Sequence, residues 1–323
     1  MSVRKILSRL RKVKAINYPI RKIIKAYGKT SNFLYPRLNA RWPVSGIVNC
    51  KYEDIVFKAY NRCDDGQVNY YYYDNPFHEF PVINLMCAFA KRSKVILDIG
   101  ANTGIHSVIV SKKNPETKIY SIEPYETNYN RLEKNLDINN CSNVEVKKIA
   151  LGEIEDTINF YIPTDNSITD VSSAVENHGI RIYEDQVKWK KVNVKQSTLN
   201  KLSEDIKEIG FFKCDVESYE INVFKGAMDF FSANKPPFVL EICLDEEKVL
   251  FFNEFAEKFG YTMYFVSNEG LVKLDQLYVF DRWPNFLFTQ YVSPHNFIPY
   301  KNLEEFVHEA CHSNSFVNSK LMS

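Results

Sequence analysis

Glycine is scarce in this sequence: 11 of 323 residues, about half the usual share of roughly 7%. Glycine-rich linkers are thereby excluded, and no internal repeat or low-complexity segment is visible. The seven cysteines (Cys50, Cys63, Cys87, Cys141, Cys214, Cys243 and Cys311) are odd in number and include no C-x-x-C pair. That argues against a disulfide framework or a four-cysteine zinc site, and for a reducing, cytoplasmic setting. Long apolar runs are missing as well. The densest, Val82 to Ala90, is nine residues long and holds Asn84, too short to cross a membrane. No uninterrupted apolar stretch near the start reads as a secretory signal. Acidic residues are absent from the first 52 positions, which carry thirteen Lys/Arg before Glu53.

What is present is an ordinary globular composition, 45% hydrophobic and 25% charged, long enough to bury a large core without a metal or disulfide staple. The net charge of +1 does not suggest a nucleic-acid binder. It hides an asymmetry: beyond residue 52 there are 28 basic and 40 acidic residues, a balance of −12. The basic head, residues 1–29, reads as two amphipathic helices. Val3, Ile6, Leu7, Leu10 and Val13 recur at helical spacing, and a second helix opens at Pro19 and ends at Gly28. Three roles fit it: docking on the protein's own body, peripheral contact with an anionic membrane surface, or organelle targeting.

Residues 30–93 form an accessory region, expected on the acceptor side of the site. Gly46 to Asn61 alternates like a strand pair, the NYYYYD run at 69–74 reads as an edge strand, and Glu79 to Arg92 as a helix. From Lys94 strands and helices alternate, the pattern of a parallel α/β sheet. Strands are predicted at Val95–Asp98, Lys118–Ile122, Val144–Ile149, Phe211–Asp215, Phe238–Cys243, Thr262–Val266 and Gln276–Phe280. Helices fit Thr103–Lys113, Glu126–Asn139, Tyr219–Phe231 and Glu246–Phe259. Residues 157–196 read as an excursion of strands and loop over the site. The core is assigned to 94–290, and a C-terminal helix and tail to 291–323.

The chemistry begins at Asp98-Ile99-Gly100-Ala101-Asn102-Thr103-Gly104, where two of the eleven glycines fall within five residues. They follow a buried strand and open a helix, where parallel sheets bind ligands at their carboxyl edge. A nicotinamide loop would read G-x-G-x-x-G. Here the glycines stand at 100 and 104 instead, and an acid stands two residues before the first of them, which repels pyrophosphate and suits an ammonium or sulfonium. Glu123, nineteen residues after Gly104, ends the next strand and can accept bonds from both hydroxyls of a ribose. S-adenosylmethionine fits this pattern best. A second cluster, Lys213-Cys214-Asp215-Val216-Glu217-Ser218-Tyr219-Glu220, crowds ionisable groups where a strand meets its loop, and Glu241 lies on the next strand.

Together the segments VILDIGANTGIHS (95–107), YSIEPYETNYNRLEKNL (120–136), IALGE (149–153), FFKCDVESYEINVFKGA (211–227) and PPFVLEI (236–242) resemble the FkbM-type S-adenosylmethionine-dependent methyltransferases. The resemblance implies a Rossmann-like class I fold: a mostly parallel seven-stranded sheet flanked by helices, here with an N-terminal helical and β extension. It also implies O-methyl transfer to a hydroxyl of a sugar, glycolipid or related natural product. By motif position, Asp98, Gly100, Asn102 and Gly104 fall to the methionine half of the cofactor and Glu123 to the ribose. Asn135 and Ala150 fall near adenine. Asp215 or Glu217 is the expected base, with Lys213 orienting the carboxylates and Glu241 holding the acceptor. The family's usual glycine after D-V-E is Ser218 here, and its T-L-D is Thr198-Leu199-Asn200. These departures motivate one alternative, a non-catalytic cofactor-binding or membrane-docking module; a nicotinamide-dependent oxidoreductase is a more remote one. His308-Glu309-Ala310-Cys311-His312 spells H-E-x-x-H, but no third ligand follows it and an apolar stripe runs through the same helix, so no metal site is expected. His106 and Ser172-Ser173 are weaker candidates for contacts at the site.

Overall fold

The computed structural model describes residues 13–28, 42–73, 80–164, 172–175, 189–280 and 284–313. The first helix expected in the basic head and much of the 157–196 excursion lie outside these.

The elements in chain order are α1 (Lys14–Gly28), β1 (Ser45–Tyr52), β2 (Ile55–Arg62), α2 (Gly66–Tyr72), α3 (Phe80–Ala90), β3 (Val95–Ile99), α4 (Ile105–Lys113), β4 (Lys118–Ile122) and α5 (Glu126–Asp137). Then come β5 (Val144–Lys147), β6 (Ala150–Leu151), β7 (Asp156–Pro163), β8 (Trp189–Ser197), α6 (Leu199–Asp205), β9 (Ile209–Cys214), α7 (Glu220–Lys225) and α8 (Met228–Ala233). The chain closes with β10 (Phe238–Glu241), α9 (Glu246–Phe259), β11 (Thr262–Val266), β12 (Gly270–Leu274), β13 (Asn285–Thr289), β14 (Phe297–Pro299) and α10 (Leu303–His312).

One nine-stranded sheet runs β14-β12-β11-β13-β10-β9-β3-β4-β5. Its seven strands from β11 to β5 are the expected class I sheet: β10, β9, β3, β4 and β5 pair in parallel, and β13 alone runs against its neighbours. Strands such as Val95–Ile99 are buried on both faces, hence their continuous apolar runs. Two antiparallel strands, β12 and β14, extend the β11 edge. Phe212, Phe224, Phe231, Phe238 and Phe255 pack ring against ring on one side of the sheet, large apolar areas with favourable edge and offset geometry.

Several expectations give way. Gln276–Phe280 is not a strand: the Leu277 amide donates to Asn253 Oδ1 (2.8 Å) and its carbonyl accepts from Asn253 Nδ2 (3.2 Å). A side chain of α9 takes the bonds a ladder would have used, and the sheet continues instead through β12 and β13. The tyrosine run is helical rather than extended, because Asp65 caps α2 by accepting from the Val68 amide at 3.0 Å. Pro19 lies inside α1 rather than at its start; the turn before it is held from outside, by Asn17 Nδ2 donating to the Pro43 carbonyl (2.7 Å). The helix expected over Tyr219–Phe231 breaks at Gly226-Ala227. A Cβ on Gly226 would stand 1.9 Å from the Gly152 carbonyl oxygen, and Asn200 Oδ1 accepts from the Phe230 amide (2.8 Å) to start α8 afresh.

The accessory hairpin β1–β2 does not stand alone, since an isolated hairpin is marginal in water. Its edge is taken up by two side chains of α5 and the turn after it. Asn139 both accepts from the Lys58 amide (2.8 Å) and donates to its carbonyl (2.7 Å), and Asn135 Oδ1 accepts from the Tyr60 amide (2.8 Å). Below it, Arg131 makes a buried two-pronged pair with Asp64 (3.0 and 2.6 Å), and Thr103 Oγ1 donates to Asp65 (2.6 Å). The turn between β2 and α2 is thus fastened directly to α5 and to the loop after β3.

Candidate active site

The ends of β3, β4, β9 and β10 open on a cavity of about 360 Å³, within the usual size range of small-molecule sites. The loop after β3 forms its floor. Gly100, Asn102 and Gly104 adopt φ of 77°, 50° and 81°, the left-handed region where glycine is free and asparagine is tolerated. The Gly100 and Ala101 amides both donate to the Ile122 carbonyl at 3.0 Å. A Cβ on Gly100 would lie 1.7 Å from the Asp215 carbonyl oxygen, so this glycine is what lets the loops after β3 and β9 touch. Gly104 serves helix packing instead. A Cβ there would meet Leu132 at 2.8 Å, so its absence lets α4 pack on α5.

Glu123, at the end of β4, is 4% exposed. Its Oε2 accepts from the Asn102 amide (3.0 Å) and its Oε1 from the Tyr125 amide (2.8 Å). Burial pushes its carboxyl up to about 8, against the pull of those two amides, with Asp98 and Asp215 adding to the rise. Each oxygen keeps lone-pair capacity for a further donor. Two more acceptors line the cavity: Asn102 Oδ1 and Asn128 Oδ1 are buried and have no hydrogen-bond partner among the described residues. Asp98 lies beneath, with Oδ2 accepting from Ser107 (2.5 Å) and Oδ1 likewise without a partner there. Unanswered buried acceptors are costly, and together they fit a ligand rich in N–H and O–H donors. An ammonium, a ribose and an amino-purine have such donors; a pyrophosphate does not.

The opposite wall carries the second cluster. Lys213 (3% exposed) donates from Nζ to Asp215 Oδ2 at 2.9 Å, and Asp215, Glu217 and Glu241 line the cavity with it. Glu217 and Ser218 both have positive φ, 54° and 74°. Ser218 thus holds, at a cost of about 1–2 kcal/mol, the conformation for which glycine is free. The turn is secured by Glu220, whose Oε1 accepts from the Ser218 amide (2.8 Å), and by Ser173, whose hydroxyl donates to the Glu217 carbonyl. His106, Ser172, Ala174 and Phe160 line the same space. From the accessory region α2 contributes Gly66, Gln67 and Tyr70.

Of the sequence candidates, Gly100, Asn102, Glu123, Ala150, Lys213, Asp215, Glu217 and Glu241 converge on the cavity. Asp98, Gly104 and Asn135 do not line it. Asn135, expected near adenine, is fully buried and spends its side chain on the Tyr60 amide and the Thr103 carbonyl. Asn200 is also structural, capping α8 and donating to Asp229 (3.1 Å). His308, Glu309 and His312 are exposed on α10, and no group of three metal-ligating side chains occurs among the described residues. Sequence reasoning passed over Asn128. Its signal was a polar residue in line with Leu132 and Asn135 on the buried stripe of α5.

Residues 98–263, half of the chain, match the methyltransferase FkbM domain. The chain belongs to this family. Among its relatives, Methyltransferase sdnD of Sordaria araneosa is 28% identical over 156 residues, 41% of this chain and 59% of that protein. Methyltransferase 1 of Beauveria bassiana (strain ARSEF 2860) is 25% identical over 146 residues, 42% of this chain and 58% of that protein. The match therefore spans less than two thirds of either relative. A crystal structure of the methyltransferase FkbM from Methylobacillus flagellatus KT aligns over 81% of this chain and 60% of that one, at 17% identity and a TM-score of 0.40.

The FkbM segment includes the turn at Ser218, and with it a buried acid. Glu220 is fully buried, and burial pushes its carboxyl from 4.5 up to about 8, with Lys248 opposing. A carboxyl raised on folding holds its proton more tightly in the native state. Its favourable contribution is complete below the unfolded value and is lost as pH rises toward 8. Glu220→Gln keeps an oxygen for the Ser218 amide and removes the titration. Thermal unfolding should show the variant gaining on the wild type as pH rises from about 5 to 9; a difference that does not change with pH refutes this.

Proposed function

We propose that this protein transfers a methyl group from S-adenosylmethionine to a hydroxyl of a neutral, hydroxyl-rich acceptor such as a sugar or glycolipid. The observation that carries the reading is the division of one cavity. One wall holds buried acceptors, Glu123, Asn102 and Asn128; the other holds Asp215 with its buried partner Lys213. When bound, S-adenosylmethionine supplies an electrophilic methyl group on a sulfonium.

The protein's own residues then have defined roles. Glu123 accepts from ribose hydroxyls, and Asn102 and Asn128 accept from the cofactor's nitrogen donors. Apolar Ile99, Ile122, Ala150, Leu151 and Phe160 exclude water beside them, so that positioning and desolvation lower the barrier. Lys213 fixes Asp215 through one oxygen and leaves the other to take the proton of the acceptor hydroxyl as it becomes nucleophilic. Glu217 and Glu241 accept from further hydroxyls, and three carboxylates against one lysine in the cavity lining disfavour anionic acceptors. The departures at Ser218 and Asn200 leave this arrangement standing, the first by adopting a glycine-like φ and the second by lying away from the cavity.

Thermal unfolding with S-adenosylhomocysteine, NAD and NADP in parallel tests the cofactor. At about a hundred times its dissociation constant a ligand stabilises by roughly 2.7 kcal/mol, a rise on the order of 5 °C for a chain of this length. The rise is expected with S-adenosylhomocysteine alone. A rise with NAD, or none with any of the three, overturns the reading.

A further inference from the structure

Helix α1 buries Ile24 and packs Ile20 against the core, but the same side of the helix also buries polar residues, while other apolar residues of the helix face the solvent. Asn17 and Arg21 are buried, at 1% and 6% exposure. Asn17 donates to the Pro43 carbonyl (2.7 Å), Arg21 to the Ser45 carbonyl (2.6 Å), and the Lys25 ammonium to the Tyr72 carbonyl. The same helix leaves Tyr18 46% and Ile23 56% exposed, Val13 just before it 45%, with Pro19, Lys22 and Ala26 also facing out. Burying Tyr18 and Ile23 would have been favourable by about 25 cal/mol per Å², but turning the helix to do so would break the Asn17 and Arg21 hydrogen bonds and withdraw Ile20 and Ile24 from the core. Lys22 sits 4.6 Å from the Tyr18 ring centre, so the exposed face combines rings, aliphatic chains and positive charge.

We propose that α1 docks the protein on an anionic lipid surface through the face that carries Tyr18, Lys22 and Ile23. Charge selects this occupant. The first 52 residues hold thirteen Lys/Arg and no acid, and each basic residue near an anionic bilayer adds attraction. A second copy of the same face would instead bring like charge against like charge. Tyr18 and Ile23 suit the boundary between headgroups and acyl chains, where an apolar body with a polar or basic rim is favoured. The Arg21 guanidinium and the Lys25 ammonium both lie over the Tyr72 ring, at 5.4 and 4.6 Å. Tyr72 belongs to α2, so a surface that holds α1 also holds a wall of the cavity.

The test is flotation of the full chain with phosphatidylcholine vesicles and with vesicles that also contain phosphatidylglycerol. Binding is expected only to the second, weakening as salt screens the charges. Tyr18→Asp/Ile23→Asp should weaken it about tenfold or more with an unchanged unfolding temperature. If that variant does not fold, Lys22→Glu, a change at an exposed residue, should weaken binding in the same direction. Equal binding to both vesicle types, or binding that neither variant alters, overturns the proposal. So does concentration-dependent self-association in sedimentation that the double variant abolishes, which would make a second copy the occupant. None of these readouts depends on methyl transfer.

Discussion

Gly100→Ala is expected to destabilise the protein by at least about 3 kcal/mol, a fall in unfolding temperature on the order of 5 °C or more, and to abolish S-adenosylhomocysteine binding. Two costs add. The φ of 77° charges any residue with a Cβ about 1–2 kcal/mol. The larger cost is steric, because the new Cβ would lie 1.7 Å from the Asp215 carbonyl oxygen. That oxygen belongs to backbone tied into the sheet, where the Asp215 amide donates to the Ile99 carbonyl at 3.1 Å, so it cannot swing aside as a side-chain tip would. Gly46 is the internal control. Its φ is 82°, yet nothing lies within 4 Å of a Cβ built there, so Gly46→Ala should cost only the backbone part. Equal losses in the two variants would show that the contact between the two loops is not what Gly100 provides.

Asp215→Asn is expected to lower turnover by about 10²–10⁴-fold while S-adenosylhomocysteine affinity stays within about threefold of wild type. Asparagine keeps the shape and can still accept from Lys213, but it cannot take a proton at neutral pH. The side chain of Asp215 is 23% exposed and that of Lys213 only 3%. Some destabilisation from leaving the lysine with a neutral partner is therefore expected, and unfolding temperature must be followed beside activity. Turnover is read as methyl transfer to whichever sugar or glycolipid of a panel the wild type labels. Glu217→Gln distinguishes the two carboxylates: if it loses turnover and Asp215→Asn does not, the base is Glu217. If both variants lose cofactor affinity as much as turnover, the wall assigned to the acceptor belongs to the cofactor.

The parts of this site that were legible in the sequence are those whose demands are local. A strand ending in Asp-x-Gly-x-Asn-x-Gly must turn sharply into a helix, and few residue types adopt the left-handed φ seen at positions 100, 102 and 104. Glu123, Lys213, Asp215 and Glu241 were readable because they sit on or just past strands whose carboxyl ends share one edge of a parallel sheet. Asn128 was hidden inside an amphipathic helix, where one polar position on the buried stripe looks like a packing residue. The tyrosine run misled because four aromatic residues suit a strand, whereas the capping Asp65 lies outside the run and decided for a helix.

Strand order, by contrast, follows from handedness and burial. The alternation from Lys94 onward already implied parallel strands joined by covering helices; the seven-stranded class I sheet was what the family resemblance implied. The outer edge did not follow. Whether residues 275–280 or 285–289 entered the sheet turned on one side chain, Asn253, reaching Leu277 from another helix. The accessory region's attachment likewise rests on Asn135, Asn139, Arg131 and Thr103, each meeting a partner 38 to 81 positions away.

By itself the sequence determined the alternation of strands and helices, the glycine-bearing loop after β3 and the two groups of acidic residues, because backbone sterics and hydrophobic period act over a few neighbours. The tertiary structure alone decided which buried oxygens go unanswered at the cavity, which polar residues beside the motifs are braces, and which face of α1 meets the solvent. Those outcomes depend on hydrogen-bond partners brought together across long loops, and chain spacing carries no information about a partner until the fold has closed.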